Sequence, residues 1–277
     1  FIKLAALSPF FEKRFKHLTL HSGQHYDYDL SQSFLEELNI PASNKNLNVG
    51  SGSQAKQTAK IMIGCEKYFL KNKTTLVVVY GDMNSTLGAS LAAAKLNIPI
   101  IHIEAGIRSF DNSIPEEVNR KIVDHISTIL FAPTKTAKEN LMREGLEDKT
   151  IISGDTTYDT FLKIEKKLSS DYYKNLNLKK SAYFVATIHR PSNSDSREKL
   201  KFILTEFINL KEPIIFLLHP RTKKMLRKFN LYERIKNTNI IIKSPSKYIE
   251  SLSLQKYAKA VLTDSGGIQK EAYFLKV

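Results

Sequence analysis

The chain has 277 residues, 42% of them hydrophobic and 25% charged, with 42 basic side chains against 28 acidic ones and a net charge of +14. That length holds one large core or two ordinary ones in a soluble globular chain. No apolar run approaches the roughly 18–20 residues of a membrane-spanning helix. No internal repeat or low-complexity tract is visible. Only nine of the basic residues are Arg, and Lys-rich surfaces are mostly solvated faces. A nucleic-acid partner would call for basic clusters interleaved with aromatics, whereas "RTKKMLRK" (221–228) reads as one exposed helix face. A positive field does gather anionic small substrates. The single Cys65 rules out an internal disulfide and fits a reducing, cytoplasmic compartment.

In chain order, the start "FIKLAALSPF" lacks both an initiator Met and the form of a signal peptide. Strands are expected at Leu18–His21, Thr75–Tyr80, Ile98–Ile103, Thr128–Ala132 and Thr150–Ser153. A polar stretch over 154–181 follows, and we place a domain boundary after residue 167. Further strands are expected at Ala182–Thr187, Pro213–Leu218, Ile240–Lys243 and Ala260–Thr263. Between them lie helical patterns: Ile61, Cys65, Tyr68 and Phe69 share one face, as do Leu200, Ile203, Leu204 and Phe207. Continuous apolar strands alternating with helices predict parallel sheets covered on both faces. The fold class is α/β: two doubly wound Rossmann-like domains, 1–167 and 168–277, facing across a cleft. In such sheets ligands bind beyond the carboxyl ends of the strands.

The polar motifs fall at those ends. Asp82 follows one strand and Glu104 the next, and Pro115 opens a helix with Glu116 and Glu117 in its first turn. Two glutamates there suit the helix dipole. A carboxylate ending an apolar strand is costly unless paired or used. Asp82, Glu104 and Glu116 therefore point to proton transfer. The alternative is a salt-bridge network with Arg108 and Arg120. A metal at Asp82 and Glu104 has no His/Cys cluster behind it. In the second domain, His189 and Arg190 end one strand, and His219 and Arg221 end another. Ser265, Gly266 and Gly267 join a strand to a helix in the shape of a phosphate site. Glu271, about one turn on, is placed to reach a ribose hydroxyl pair.

These residues carry a resemblance. "GQHYD", "GSGSQAKQTAKIMIGCEK", "GDMNSTLGASLAAAKLNIPIIHIEAGIRSFDNSIPEEVNRKIVDHIS", "FAPT", "TIHRPSN", "HPRT" and "TDSGGIQKEA" resemble the non-hydrolysing UDP-N-acetylglucosamine 2-epimerases nearly end to end. The resemblance implies the two-domain GT-B fold, a homodimer, a UDP-sugar as partner, and no metal or redox cofactor. It implies interconversion of UDP-GlcNAc and UDP-ManNAc for surface polysaccharide precursors, through loss of UDP to 2-acetamidoglucal and its re-addition. Matched residue by residue, Asp82, Glu104 and Glu116 become the acid/base group, and His189 serves the departing diphosphate. Ser265, Gly266 and Gly267 become the diphosphate cradle and Glu271 the ribose ligand. Lys3 matches the Lys of the family's opening "RPExIK" signature; with Arg120 and Arg190 it completes the expected substrate-binding set. Gln24 and His25 match part of an effector UDP-GlcNAc site. Against the family pattern the chain reads as truncated at both ends. Ser192 in "HRPSN" stands where Glu is commoner, which fits a diacetamido uronic acid sugar nucleotide as an alternative substrate.

Three other readings compete: a GT-B glycosyltransferase, which needs no acid trio near C2; a hydrolysing relative that releases ManNAc; and a nucleotide-sugar-binding protein. Incubation in D₂O separates them: deuterium at C2 of recovered UDP-sugar supports the epimerase, free ManNAc the hydrolysing relative, and no exchange leaves the other two.

Overall fold

A computed structural model describes residues 1–23, 35–244 and 247–277. Gln24 and His25 lie outside the described residues. The chain divides into two compact units, Phe1–Thr160 and Phe161–Val277.

The first unit runs α1 (Ile2–Arg14), β1 (Leu20–His21), β2 (Lys45–Asn46), α2 (Gln54–Asn72), β3 (Val77–Tyr80), α3 (Asn84–Lys95) and β4 (Ile100–Ile103). It continues with α4 (Pro115–Ile126), β5 (Ile129–Ala132), α5 (Lys135–Arg143), β6 (Thr150–Ile152) and α6 (Thr156–Ile164), which spans the division. Strands β3-β4-β5-β6 form one parallel sheet in that order, and β1 pairs β2 in a separate parallel pair. Each parallel step needs a crossover. The one from β3 to β4 is α3, an Ala-rich helix whose small side chains let it lie close to α2. The core gathers Ile61, Cys65 and Phe69 of α2 with Val77, Val79, Ile100 and Val123. The helical spacing read from the sequence thus sets the buried face of α2. Burial in that core pushes the Cys65 thiol up to about 12.

The second unit contains α7 (Asp171–Lys174), β7 (Phe184–Thr187), α8 (Pro191–Ser194), α9 (Arg197–Asn209), β8 (Ile214–Leu217) and α10 (Pro220–Lys228). Then come β9 (Ile240–Lys243), α11 (Tyr248–Lys256), β10 (Ala260–Thr263) and α12 (Gly266–Leu275). Its parallel sheet has the order β10-β7-β8-β9. Central strands β7 and β8 are buried throughout, as expected of a sheet covered on both faces. The chain leaves β7 toward β8 and β9, then returns to the other side of β7 as β10. The boundary between β7 and β10 is therefore a topological switch point, where ligands of open α/β sheets bind.

Most strands are a residue or two shorter than the sequence predicts. Strand β2 escaped notice, because Lys45–Asn46 is two polar residues with no alternation to read.

Candidate functional site

In the first unit the carboxylates gather at the ends of β3 and β4, neighbours with Tyr80 opposite Ile103. Glu104 closes β4 with φ +73°, a left-handed conformation costing a non-glycine residue roughly 1–2 kcal/mol. Its N–H and that of Ala105 both donate to the Phe131 carbonyl, at 3.1 and 3.0 Å. The strand end is thereby turned, and Glu104 forms an ion pair with Lys3. Gly81, at φ +64°, makes room for that pair: a Cβ there would lie 2.6 Å from Lys3 Nζ and 3.4 Å from Glu104 Oε2.

Asp82 follows Gly81, and helix α4 holds it from the side. Asn119 donates to its carbonyl at 2.9 Å. Arg120 donates to its carboxylate through Nε at 2.8 Å and also through Nη2. Glu117 lies fully buried on the inner face of α4. It accepts from the Ser109 N–H (2.9 Å), the Ser109 hydroxyl (3.0 Å), the Phe110 N–H (3.2 Å) and Arg120 (3.0 Å). Burial opposes its ionisation, but the donors outweigh burial and bring its pKa down to about 2. Glu117 therefore fixes the β4–α4 loop, well beyond the dipole role its position predicts. Glu116, half-buried beside it, has no partner among the described residues.

The ion pairs differ from the salt-bridge network read from the sequence. Asp82 and Glu104 are each paired with a cation, yet Arg108 takes no part. Fully buried, it bonds Asp124 (2.8 Å) and, through two nitrogens, Glu144 (2.7 Å each). Asp124 also accepts from His102 Nδ1 (2.7 Å) and the Gly106 N–H (3.1 Å). Sequence reasoning missed His102 and Asp124, which look like ordinary members of a strand and a helix.

In the second unit the switch point is tied by Asp264, directly after β10. Its carboxylate accepts from the N–H groups of His189 and Arg190 and from the Asn193 amide, each at 3.0 Å. It also lies 2.9 Å from His189 Nδ1. Burial resists ionisation of Asp264, but the Asn193 amide and the two N–H groups prevail, so its pKa sits below the usual carboxylate value. Asp264 was missed as well, although it ends an apolar strand as Asp82 and Glu104 do. The His189 imidazole, about a third exposed, lies 5.7 Å from the His219 ring, centroid to centroid. Arg221 pairs instead with Asp195.

Ser265 caps α12, its hydroxyl accepting from the Ile268 N–H at 3.4 Å. A Cβ on Gly266 would meet nothing within 4 Å, and one on Gly267 only the Ser265 hydroxyl at 3.9 Å. Neither glycine is demanded by its neighbours in this chain. Glu271, one turn on, is 6% exposed and receives the Gln255 amide at 3.0 Å. Burial pushes its pKa up to about 7, against the pull of Gln255 and Tyr248. Among the described residues, no three His, Cys, Asp or Glu side chains form a group able to hold a metal ion. No described helix is long and apolar enough to cross a membrane.

Residues 11–277 match the family profile described as UDP-N-acetylglucosamine 2-epimerase. A Methanococcus maripaludis protein named UDP-N-acetylglucosamine 2-epimerase homolog is 49% identical, the alignment covering 100% of this chain and 79% of that one. The Pseudomonas aeruginosa UDP-2,3-diacetamido-2,3-dideoxy-D-glucuronate 2-epimerase is 36% identical over 99% of this chain and 77% of its own length. The crystal structure of Methanocaldococcus jannaschii UDP-GlcNAc 2-epimerase in complex with UDP-GlcNAc and UDP superimposes with a TM-score of 0.92. It is 44% identical and covers 100% of this chain and 79% of that one.

Proposed function

The chain belongs to the UDP-N-acetylglucosamine 2-epimerase family, and from that premise we propose that it interconverts UDP-GlcNAc and UDP-ManNAc without hydrolysing them. The observation that carries the reading is the pair of carboxylates at adjacent strand ends, Asp82 bound to Arg120 and Glu104 to Lys3. Inverting C2 takes a proton off one face and returns one to the other. At least two proton-handling groups are needed, and we draw them from Asp82, Glu104 and Glu116.

In the forward step a carboxylate takes the C2 proton. The C2–H electrons form the C1–C2 double bond, and the C1–O bond breaks with its pair going to UDP. The product pair is 2-acetamidoglucal and UDP. Protonation of C2 from the opposite face and re-addition of UDP to C1 complete the epimerisation. The second unit handles the nucleotide. N–H groups at the start of α12, behind Ser265, Gly266 and Gly267, take the diphosphate with Arg190. Glu271 takes the ribose hydroxyls. His189, oriented through Nδ1 by Asp264, donates to the β-phosphate as negative charge builds on it. Lys3 and Arg120 hold the carboxylates in place and bring positive charge to the substrate. The family resemblance extends the reading to a cytoplasmic homodimer, and light scattering on the purified chain tests the dimer.

Incubation with UDP-GlcNAc in D₂O tests the proposal. Deuterium at C2 of both recovered UDP-sugars is expected. Release of free ManNAc would replace it with a hydrolase, and no exchange at all would overturn it. Ser192 and the likeness to the Pseudomonas protein favour a second substrate, the diacetamido glucuronate nucleotide. The ratio of kcat/KM for the two sugars decides between them.

A further inference from the structure

The His102 imidazole is completely buried and engages an oxygen at each ring nitrogen. Nδ1 lies 2.7 Å from Asp124 Oδ1, and Nε2 lies 2.8 Å from the Gly81 carbonyl. A carbonyl oxygen only accepts, so Nε2 carries a hydrogen. On the other side, Asp124 already receives the Gly106 N–H and Arg108. A carboxylate with such donors favours its ionised form, and an ionised carboxylate also only accepts. Opposite an ionised Asp124, each ring nitrogen faces an oxygen that only accepts.

The bond to Gly81 places the ring at the turn carrying Asp82. The bond to Asp124 ties it to the loop carrying Glu104, because Asp124 holds Gly106 and Arg108 of that loop. Arg108 is anchored in turn by Glu144 at the end of α5. Asn140 closes the loop from the same helix by donating to the Gly106 carbonyl at 3.0 Å. Around the ring the charges are Asp124 (−), Arg108 (+) and Glu144 (−), with the Lys149 ammonium on the backbone carbonyl of Asp124. The Lys3–Glu104 pair also lies against Gly81.

We propose that His102, as a doubly protonated bridge between the Gly81 carbonyl and Asp124, is a positioning residue that sets the spacing of Asp82 and Glu104 for C2 proton transfer. It touches no reacting atom. The proposal rests on the epimerase reading of that pair. No neutral side chain reproduces it: the Gln amide offers N–H groups at one end only, so His102→Gln keeps one of the two bonds.

The test has two arms on the intact chain. In the kinetic arm, His102→Gln is expected to lower kcat and C2 deuterium exchange by roughly 10–100-fold. That is the scale of misplacing a catalytic group by about 1 Å. KM and the UDP dissociation constant should stay within about twofold of wild type. A folded variant with wild-type kcat, or one whose UDP affinity falls in parallel, overturns the proposal. The second arm needs no variant to fold. ¹⁵N-histidine spectra of the wild type should show one solvent-shielded ring with both nitrogens protonated at the pH of turnover. An unprotonated nitrogen in that ring overturns the bridge. If the wild type itself shows no C2 exchange, the epimerase reading fails, whereas normal exchange in both proteins sinks only the role of His102.

Discussion

Replacing Gly266 by Ala should make the unliganded protein slightly more stable and its nucleotide binding markedly worse. Gly266 occupies the first position of α12, and a Cβ there would meet no atom of the chain within 4 Å. Its φ is not left-handed. Nothing inside the fold thus calls for glycine, and the substitution removes only backbone freedom from the unfolded chain. Such a change stabilises by up to about 1 kcal/mol. For a chain of this size that corresponds to a rise of roughly 2–4 °C in Tm per kcal/mol. A diphosphate accepting from the first N–H groups of α12 would come against the added methyl. Loss of at least tenfold in UDP affinity is expected, or about 1.4 kcal/mol, with Gly266→Val losing more. Differential scanning fluorimetry without ligand and calorimetry with UDP read the two quantities separately. Unchanged UDP affinity in a folded Gly266→Ala protein would remove the cradle from this turn. A drop in Tm would refute the claim that the space is open.

Three further outcomes follow from the geometry. Asp82→Asn, Glu104→Gln and Glu116→Gln should each lower turnover by on the order of 10²–10⁴ with UDP affinity retained; near-normal turnover in all three would leave only the ion pairs as their purpose. Because the folded pKa of Glu271 is raised to about 7 from 4.5, the native state holds its proton longer than the unfolded chain. Its contribution to stability should therefore fall as pH rises from about 4.5 through 7. Glu271→Gln should flatten that part of the Tm profile, and parallel profiles would contradict it. Glu117 has the opposite sign: its pKa is lowered to about 2, so its stabilisation is present above 4.5 and lost as pH falls toward 2. Glu117→Gln should cost about 1–3 kcal/mol near neutrality and little at pH 2–3, by denaturant titration at each pH.

The elements were legible because they are periodic. Ile61, Cys65 and Phe69 announce one helical face, and unbroken runs such as Ile214–Leu217 announce strands buried on both sides. The acids at strand ends were legible for an energetic reason, since a charge ending an apolar run needs a purpose. That rule also fits Asp264, hidden within the motif "TDSGG" by its more conspicuous neighbours. His102 and Asp124 were illegible for a different reason. Their meaning lies in a bond across 22 residues, and neither local spacing nor composition encodes which buried polar side chain will face which. Glu117 shows the limit within one turn of helix: the sequence places it beside Glu116, but only the fold turns it inward to hold the loop.

The chain from His102 through Asp124 and Arg108, all buried, to the partly exposed Glu144 also bears on how this sequence can change over time. Removing one partner of a buried charge pair typically costs about 3–5 kcal/mol, a large share of the 5–15 kcal/mol that holds a domain together. Arg108→Met would take the guanidinium from both Asp124 and Glu144, and Asp124→Leu would leave Arg108 with Glu144 alone and the His102 ring with the Gly81 carbonyl alone. Single steps away from the present arrangement pass through variants close to unfolding, while concerted replacement of several members need not. Libraries aimed at new sugars should hold these four residues together, or vary them together, and search the exposed strand-end positions of the second unit, Ser192 among them, one residue at a time.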